Sequence, residues 1–295
     1  MPESSYIITT DSNTELPLAI AKEYNVNYVP MDYLLDGQEY FYDLGENTDY
    51  KAFFNAVRSG KLPTTSTYPP PYYVELWRPM LESGKDVLHL GFSSKLSAAY
   101  SYLSEARDML NEEFASSGRR VITVDLLSIS GGAAVLVYEA FRRQRAGQGI
   151  DEVAGWVEQN TKNAQHWFTV NDLNHLRRGG RLSATTAIVG SVLNVKPILI
   201  LNREGRVIPL DKVMGRRKAI SYLSDKVREY ADRPEDTACV ILHGDCLEDA
   251  QELQRLVESH TKFREVFLQF VGPVIGTHAG PDVLGICFMG KERPE

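Results

Sequence analysis

Residues Asp86–Ala106, DVLHLGFSSKLSAAYSYLSEA, decide how this chain is read. The apolar run Val87–Phe92 stops at the pair Ser93-Ser94, and an amphipathic pattern begins at Leu96. The spacing predicts a buried strand, a tight turn and a helix, with two hydroxyls at the helix mouth. The unpaired N–H groups of a first helical turn carry partial positive charge and attract anions. Hydroxyls there either cap the helix or hold an anion. Spacing alone leaves both open.

The surrounding sequence repeats the strand–helix alternation. Tyr6–Thr10 reads as a strand and Leu16–Asn25 as a helix behind Asp11-Ser12. Tyr28–Leu35 and Glu39–Leu44 flank Asp36-Gly37 and read as a hairpin, with Pro30 confining the first strand to an edge. Helices follow at Tyr50–Arg58 and through Trp77 to Leu81, separated by the Thr/Pro-rich loop Leu62–Pro71. Arg120–Leu127 is a strand and Gly131–Arg145 a helix. Such alternation argues for an α/β fold with a doubly wound parallel sheet. The second half has a different rhythm. Trp167–Val170 leads into Asn171–Arg178, and Ile198–Asn202 with Arg206–Leu210 form a hairpin around Glu204-Gly205. Strands at Ala238–His243, Val266–Phe270 and Val283–Met289 alternate with helices at Ala219–Tyr230 and Leu247–His260. This half reads as an α+β domain with a mixed sheet. The helix Asp151–Thr161 marks the boundary, giving residues 1–163, with a hairpin insertion near 28–44, and residues 164–295.

Composition excludes several classes. The chain has 295 residues, 43% of them hydrophobic and 24% charged, which suits a water-soluble globular protein. A net charge of −7 argues against nucleic acid as a partner. Cys239, Cys246 and Cys287 have no CxxC spacing and read as reduced thiols. No basic-then-apolar leader opens the sequence, and the longest apolar stretch, Ala187–Leu201, is broken by Asn194 and Lys196-Pro197. The expectation is a cytoplasmic protein without stable membrane insertion.

Several constellations could carry chemistry. Asp11-Ser12-Asn13 follows the first strand, where open α/β sheets bind ligands, and the same residues are good helix caps. Thr64-Thr65-Ser66-Thr67 places four hydroxyls in a proline-bounded loop, either solvated or bonded to a ligand. Gly91-Phe92-Ser93-Ser94-Lys95 approaches the G-x-S-x-G nucleophile elbow, with Lys95 where the last Gly should be. Arg177-Arg178-Gly179-Gly180-Arg181-Leu182-Ser183 suits either an anion nest or a basic helix end. His278, within Gly276–Pro281, is expected in a turn, either as a structural residue or as a ligand or catalytic group. Arg216, Arg217 and Lys218 crowd positive charge at a helix start, either as a solvated face or as a docking patch. No phosphate loop, dinucleotide fingerprint or metal spacing is present, and no cofactor is implied.

Taken in order, TTDSNTELP, PTTS, GFSSKLSAAY, LRRGGRLS, LNVKPILILNREGRVIPLDKV and VIGTHAGP resemble the DegV family, which includes the fatty-acid-binding subunits of bacterial fatty acid kinases. The six pieces span nearly the whole chain. The resemblance implies two α/β domains with a long-chain fatty acid in an apolar tunnel between them. Its carboxylate would be held by Thr65, Ser66, Ser93 and Ser94, with Arg181 and His278 nearby. It also implies a non-catalytic subunit that presents the acid to a separate ATP-binding kinase, with Arg216, Arg217 and Lys218 as docking residues. Three departures stand out. Lys95 and Ala98-Ala99 replace two glycines and a threonine of the usual SSGLSGTY, Asp282 replaces the last Gly of GPG, and Met214 replaces the arginine of K-x-R. The rival reading is an acyl hydrolase with Ser93 as nucleophile and His278 as base.

Overall fold

The computed structural model describes residues 4–182 and 194–295. Ser183 of the Arg177–Ser183 motif, Leu193 of the hairpin motif and the first part of Ala187–Leu201 lie outside the described residues.

The first strand, β1 (Tyr6–Asp11), ends in a single 3-10 turn, Ser12–Thr14, where Asp11 Oδ1 accepts the Asn13 N–H at 2.9 Å. Helix α1 covers only Leu18–Glu23, not Leu16–Asn25. Pro17 fits just outside the first turn, and Glu15 lies in the left-handed region at φ 49°, so the helix cannot start earlier. The expected strand Tyr28–Leu35 divides at Pro30. β2 (Asn27–Val29) joins β1 in parallel, while β3 (Asp32–Leu35) pairs antiparallel with β4 (Gln38–Phe41). Asp36 and Gly37 both take positive φ, 54° and 79°, as a tight two-residue hairpin turn requires.

Helix α2 (Tyr50–Arg58) follows as expected, with Asp49 capping it through the Ala52 N–H. The Thr/Pro-rich segment is not wholly a loop: β5 (Thr64–Thr65) adds to β3, and Pro70 opens α3 (Pro70–Glu82) at the position where proline is tolerated. After β6 (Asp86–Gly91) the helix α4 begins at Ala99, running to Glu113, rather than near Leu96. A turn over Ser94–Leu96 fills the gap, because Ser93 is bonded elsewhere, as described below. β7 (Val121–Asp125), α5 (Ser130–Arg145) and α6 (Ile150–Asn160) complete this half. The sheet order β2-β1-β6-β7, all parallel, matches the doubly wound expectation.

The remainder comprises β8 (Ala164–Thr169), α7 (Asn174–Arg178), β9 (Val195–Leu201), β10 (Val207–Met214), α8 (Arg216–Tyr230), β11 (Ala238–His243), α9 (Leu247–Glu258), β12 (Glu265–Phe270), α10 (Pro273–Ala279) and β13 (Leu284–Met289). Its six strands form a mixed sheet in the order β10-β9-β8-β13-β11-β12, with only β11 and β12 parallel. His278 is therefore in the last turn of a helix, not in a free turn. Pro273 sets the start of α10, and Gly280, at φ 77°, ends it.

The mixed sheet is apolar on both faces. Trp167, Ile200, Ile241 and Phe288 belong to a core cluster shared with α8 and α9. Leu199, Val240, Leu242 and Cys287 join the larger cluster, which runs through α5 to β6 and β7 of the parallel sheet. Helix α5 is buried along its first twelve residues, Ser130 to Phe141. Its two leading glycines permit this. A Cβ on Gly131 would strike Leu242, and one on Gly132 would overlap the His166 ring.

Glu15 knits these parts together. Its carboxyl accepts hydrogen bonds from Ser130 Oγ at the start of α5 and from the Gly272 N–H before α10, the latter at 2.5 Å. Its backbone carbonyl accepts from Gln269 Nε2 at 2.6 Å. Burial raises its pKa from 4.5 to about 8, and burial likewise raises Asp11 to about 7. The native state thus retains a proton that the unfolded state has released across this window. The Glu15 contribution to stability falls as pH rises from about 4.5 to 8, by at most about 1.4 kcal/mol per pH unit, while His89, His166 and His278, held neutral by burial, contribute in the opposite sense below about 6.5. Glu15→Gln removes that contribution, so the stability of the variant relative to the unaltered chain should rise as pH increases across the window. Urea denaturation across the window checks this, and a difference that stays constant contradicts it.

Candidate functional site

A cavity of about 270 Å³ opens at the carboxyl ends of β1, β6 and β7. That is the usual ligand position in open α/β sheets, and the volume lies just under the common range of about 300–1,000 Å³. Asn13 comes from the turn after β1, Phe92 and Leu96–Ala98 from the turn after β6, and Ile129 and Ser130 from the start of α5. The mixed sheet contributes Phe168, Leu242 and Cys287, and α10 contributes Val274, Ile275 and His278. Most of the lining is apolar, so the cavity suits a hydrocarbon chain.

One group of polar residues forms a bonded set. Thr65 Oγ1 and His278 Nε2 are 3.1 Å apart. Arg181 Nε donates to the Leu96 carbonyl at 3.1 Å, and Arg181 Nη1 donates to the Gly179 carbonyl. Gly179 has to be a glycine here, since a Cβ would collide with the His278 ring, whereas only Gly180 takes positive φ, at 69°. Burial, and then the nearby Arg181, lower the His278 pKa to about 4, so its imidazole is neutral at physiological pH. Burial also lowers the Arg181 pKa. Ser97 and Ala98 place the first turn of α4 on the same cavity, and Ser97 Oγ accepts the Ala99 N–H at 3.1 Å. An anion entering here would meet a guanidinium, a neutral imidazole, hydroxyls and a helix N-terminus.

The expected site residues fall into two groups. Thr65, Ser66, Arg181 and His278 line the cavity. Ser66 Oγ is itself held by Asp32 Oδ2 at 2.6 Å. Ser93 and Ser94 are not among the lining residues, and neither caps α4, which starts five residues after Ser94. Ser93 is fully buried. Its Oγ donates to the Gly205 carbonyl at 3.0 Å, across to the tip of the β9–β10 hairpin. Gly205 allows that approach, because a Cβ there would press on Ser93 Oγ and Leu127. The Ser94 N–H donates to Asp125 Oδ1 at 3.2 Å. Lys95 is exposed. The Ser93–His278 couple that a hydrolase requires is thus not formed: the hydroxyl beside His278 belongs to Thr65.

Sequence reasoning missed His166 and Ser130 and left Asn13 open between a ligand position and a helix cap. All three line the cavity, His166 because β8 turns alternate residues toward α5. Among the described residues, no group of three or more His, Cys, Asp or Glu is placed to hold a metal. No described helix is long and apolar enough to cross a membrane. Asp282, the departure from glycine, sits at φ 60°, and its carboxylate binds Arg58 at 2.8 Å and Asn171 at 3.0 Å. In the basic cluster, Arg216 is engaged by Asp249 at 2.8 Å and faces Cys246 Sγ, while Arg217 and Lys218 are exposed. Met214, in place of the arginine, is 54% exposed.

Comparison with known proteins bears on the family and the fold. A family model described as "Uncharacterised protein, DegV family" matches residues 5–291. A DegV domain-containing protein of Clostridium perfringens is 34% identical over 288 residues, covering 98% of both chains. A solved structure described as fatty acid binding of a DegV family protein from Thermus thermophilus superposes with a TM-score of 0.86, at 29% identity, covering 97% of this chain and 99% of that one. The structure of DegV from Bacillus subtilis, described as a fatty acid binding protein, gives a TM-score of 0.82 at 26% identity, covering 98% of this chain and 100% of that one. With the family model spanning almost its full length, this chain belongs to the DegV family.

Proposed function

We propose that the cavity binds one long-chain fatty acid, its carboxylate at the Thr65–Arg181–His278 set and its tail along the apolar lining. In this reading the chain has two domains, residues 1–163 and 164–295, and the ligand lies where they meet. The observation that carries it is Arg181, a half-buried guanidinium lining a mostly apolar cavity. A half-buried cation lining a ligand site favours a carboxylate, since charge-assisted hydrogen bonds are about twice as strong as neutral ones. The neutral His278 and Thr65 add donors without a second charge. The first turn of α4 supplies further positive potential. Ser93 and Ser94 contribute by position: for Ser93 Oγ to reach the carboxylate it must leave the Gly205 carbonyl. The relatives described as fatty acid binding proteins support the ligand class.

The same reading makes the chain a cytoplasmic, non-catalytic subunit that presents the carboxylate to a separate kinase, which forms the acyl phosphate. Arg217 and Lys218 would meet that partner, and Arg216, held by Asp249, would set the start of α8.

Two outcomes test the proposal. Arg181→Gln should weaken binding of a fluorescent fatty acid by about 1.5–3 kcal/mol, the worth of a hydrogen bond to a charged group, with the melting temperature little changed. Unchanged affinity contradicts the placement of the carboxylate. Arg217→Glu with Lys218→Glu should leave fatty-acid affinity intact but slow acyl-phosphate formation by the host kinase. That loss should shrink as salt rises, because exposed charges are screened beyond about 8–10 Å. A wild-type rate at low salt contradicts the docking role.

A further inference from the structure

A second cavity, of about 260 Å³, opens in the hairpin insertion, between β3, β4, the loop after β4 and the start of α2. It shares no lining residue with the acyl cavity. Aromatic rings make much of its wall. Tyr33 and Tyr40 stack with centroids 5.2 Å apart, and Phe53 meets Tyr33 edge-on at 5.4 Å. Phe41 also lines it and is 54% exposed. Asp43 and Asp49 complete the site, and among its described lining residues there is no Lys, Arg or His. Burial works against the charge of Asp43, but hydrogen bonds from Thr48, Asn47 and Gly45 at 2.7–3.2 Å outweigh it and hold its pKa below the usual carboxylate range. Asp49 Oδ1 accepts the Ala52 N–H at 2.9 Å, and its second oxygen has no partner among the described residues. Tyr33 adds an independent observation. It is only 7% exposed, yet its hydroxyl has no hydrogen-bond partner among the described residues. That oxygen is open to the cavity, unlike the sealed and unpaired Oδ1 of the neighbouring Asp32. Burial, and then Tyr40, Asp43 and Asp49, raise the Tyr33 pKa to about 12, so the group stays a neutral hydroxyl within reach of both negative charges.

We propose that this second cavity binds a small primary alkylammonium ion, its ammonium hydrogens on the Tyr33 oxygen and the Asp49 carboxylate and its alkyl stem against the aromatic rings. The inference does not depend on the fatty-acid reading, because the two cavities have no residue in common. Two carboxylates with no neighbouring cation on the wall call for positive charge. Aromatic faces favour an organic cation, which gives up its water more readily than a metal ion and is attracted by the ring quadrupole. An ammonium group also supplies hydrogens for the two unpaired oxygens, of Tyr33 and Asp49. A metal ion fits poorly, because Asp43 has spent its acceptor capacity on its own loop, and among the described residues no group of His, Cys, Asp or Glu is placed to hold one. The volume lies below the range of about 300–1,000 Å³ common for drug-sized ligands, which suits a small amine.

The test is a titration of the full chain with n-butylammonium chloride at fixed ionic strength, followed by the amide NMR shifts of residues 33–53. Sodium chloride supplies the charge without the alkyl stem, and 1-butanol the stem without the charge. The shifts should saturate with butylammonium and with neither control. Tyr33→Phe removes only the hydroxyl and keeps the ring stack, and should weaken binding by about two- to tenfold, as loss of one hydrogen bond does. Asp49→Asn should weaken it by about two- to fivefold, the range for an exposed ion pair, while asparagine still caps α2. The melting temperature of each variant confirms that it folds. If the shifts do not saturate, or if sodium or butanol reproduces them, the inference is overturned and the Tyr33 hydroxyl is merely solvated. Saturable binding that both variants retain at full strength places the cation elsewhere and overturns it equally.

Discussion

Helix α5 must lie flat on the inner face of the six-stranded sheet, and Gly131 and Gly132 are the reason it can. Any side chain at either position would strike Leu242, Cys287 or His166. The helix comes from the first half of the chain and the sheet from the second, so this contact locks the halves into one core. Its amino end then has to be accommodated beside the carboxyl ends of β1 and β6. Glu15 closes that junction through Ser130 and Gly272. The cavity is the space these constraints leave between the start of α5, the turns after β1 and β6, and α10.

The position of the cavity explains its chemistry. Strand ends supply apolar side chains from the sheets, which suit a hydrocarbon tail. The turns and helix ends supply polar groups at defined points, because their backbone has unpaired donors and acceptors. Arg181 and His278 stay close together without repulsion because burial keeps the imidazole neutral. One positive charge then faces the site, which is the correct complement for one carboxylate.

Local signals in the sequence carried much of the fold. Asp36-Gly37 and Glu204-Gly205 marked the two hairpins, Tyr50–Arg58 was legible as a helix, and the alternation of the first half implied a parallel sheet. Prolines caused the main displacements: Pro17 delays α1, Pro30 splits a strand, and Pro70 and Pro273 start helices where loops or turns were expected. Long-range contacts were not legible. Ser93 looked like a ligand hydroxyl because its neighbours in sequence place it after a strand. Its partner, the Gly205 carbonyl, lies 112 residues away. His166 lies one residue before the strand read at Trp167–Val170, and only the packing of β8 against α5 shows its place. The basic cluster was legible as charge, but the capture of Arg216 by Asp249 required the packing of α8 on α9.

The central claim is that this cavity holds a fatty acid. Native mass spectrometry of the protein purified from its own host tests it most directly, since an acid enclosed in an apolar cavity survives gentle ionisation. The account predicts one adduct per chain with the mass of a long-chain acid, released as the free acid on denaturation and reduced in Arg181→Gln. A chain that carries no acid from its host, and acquires none on incubation with one, would contradict it.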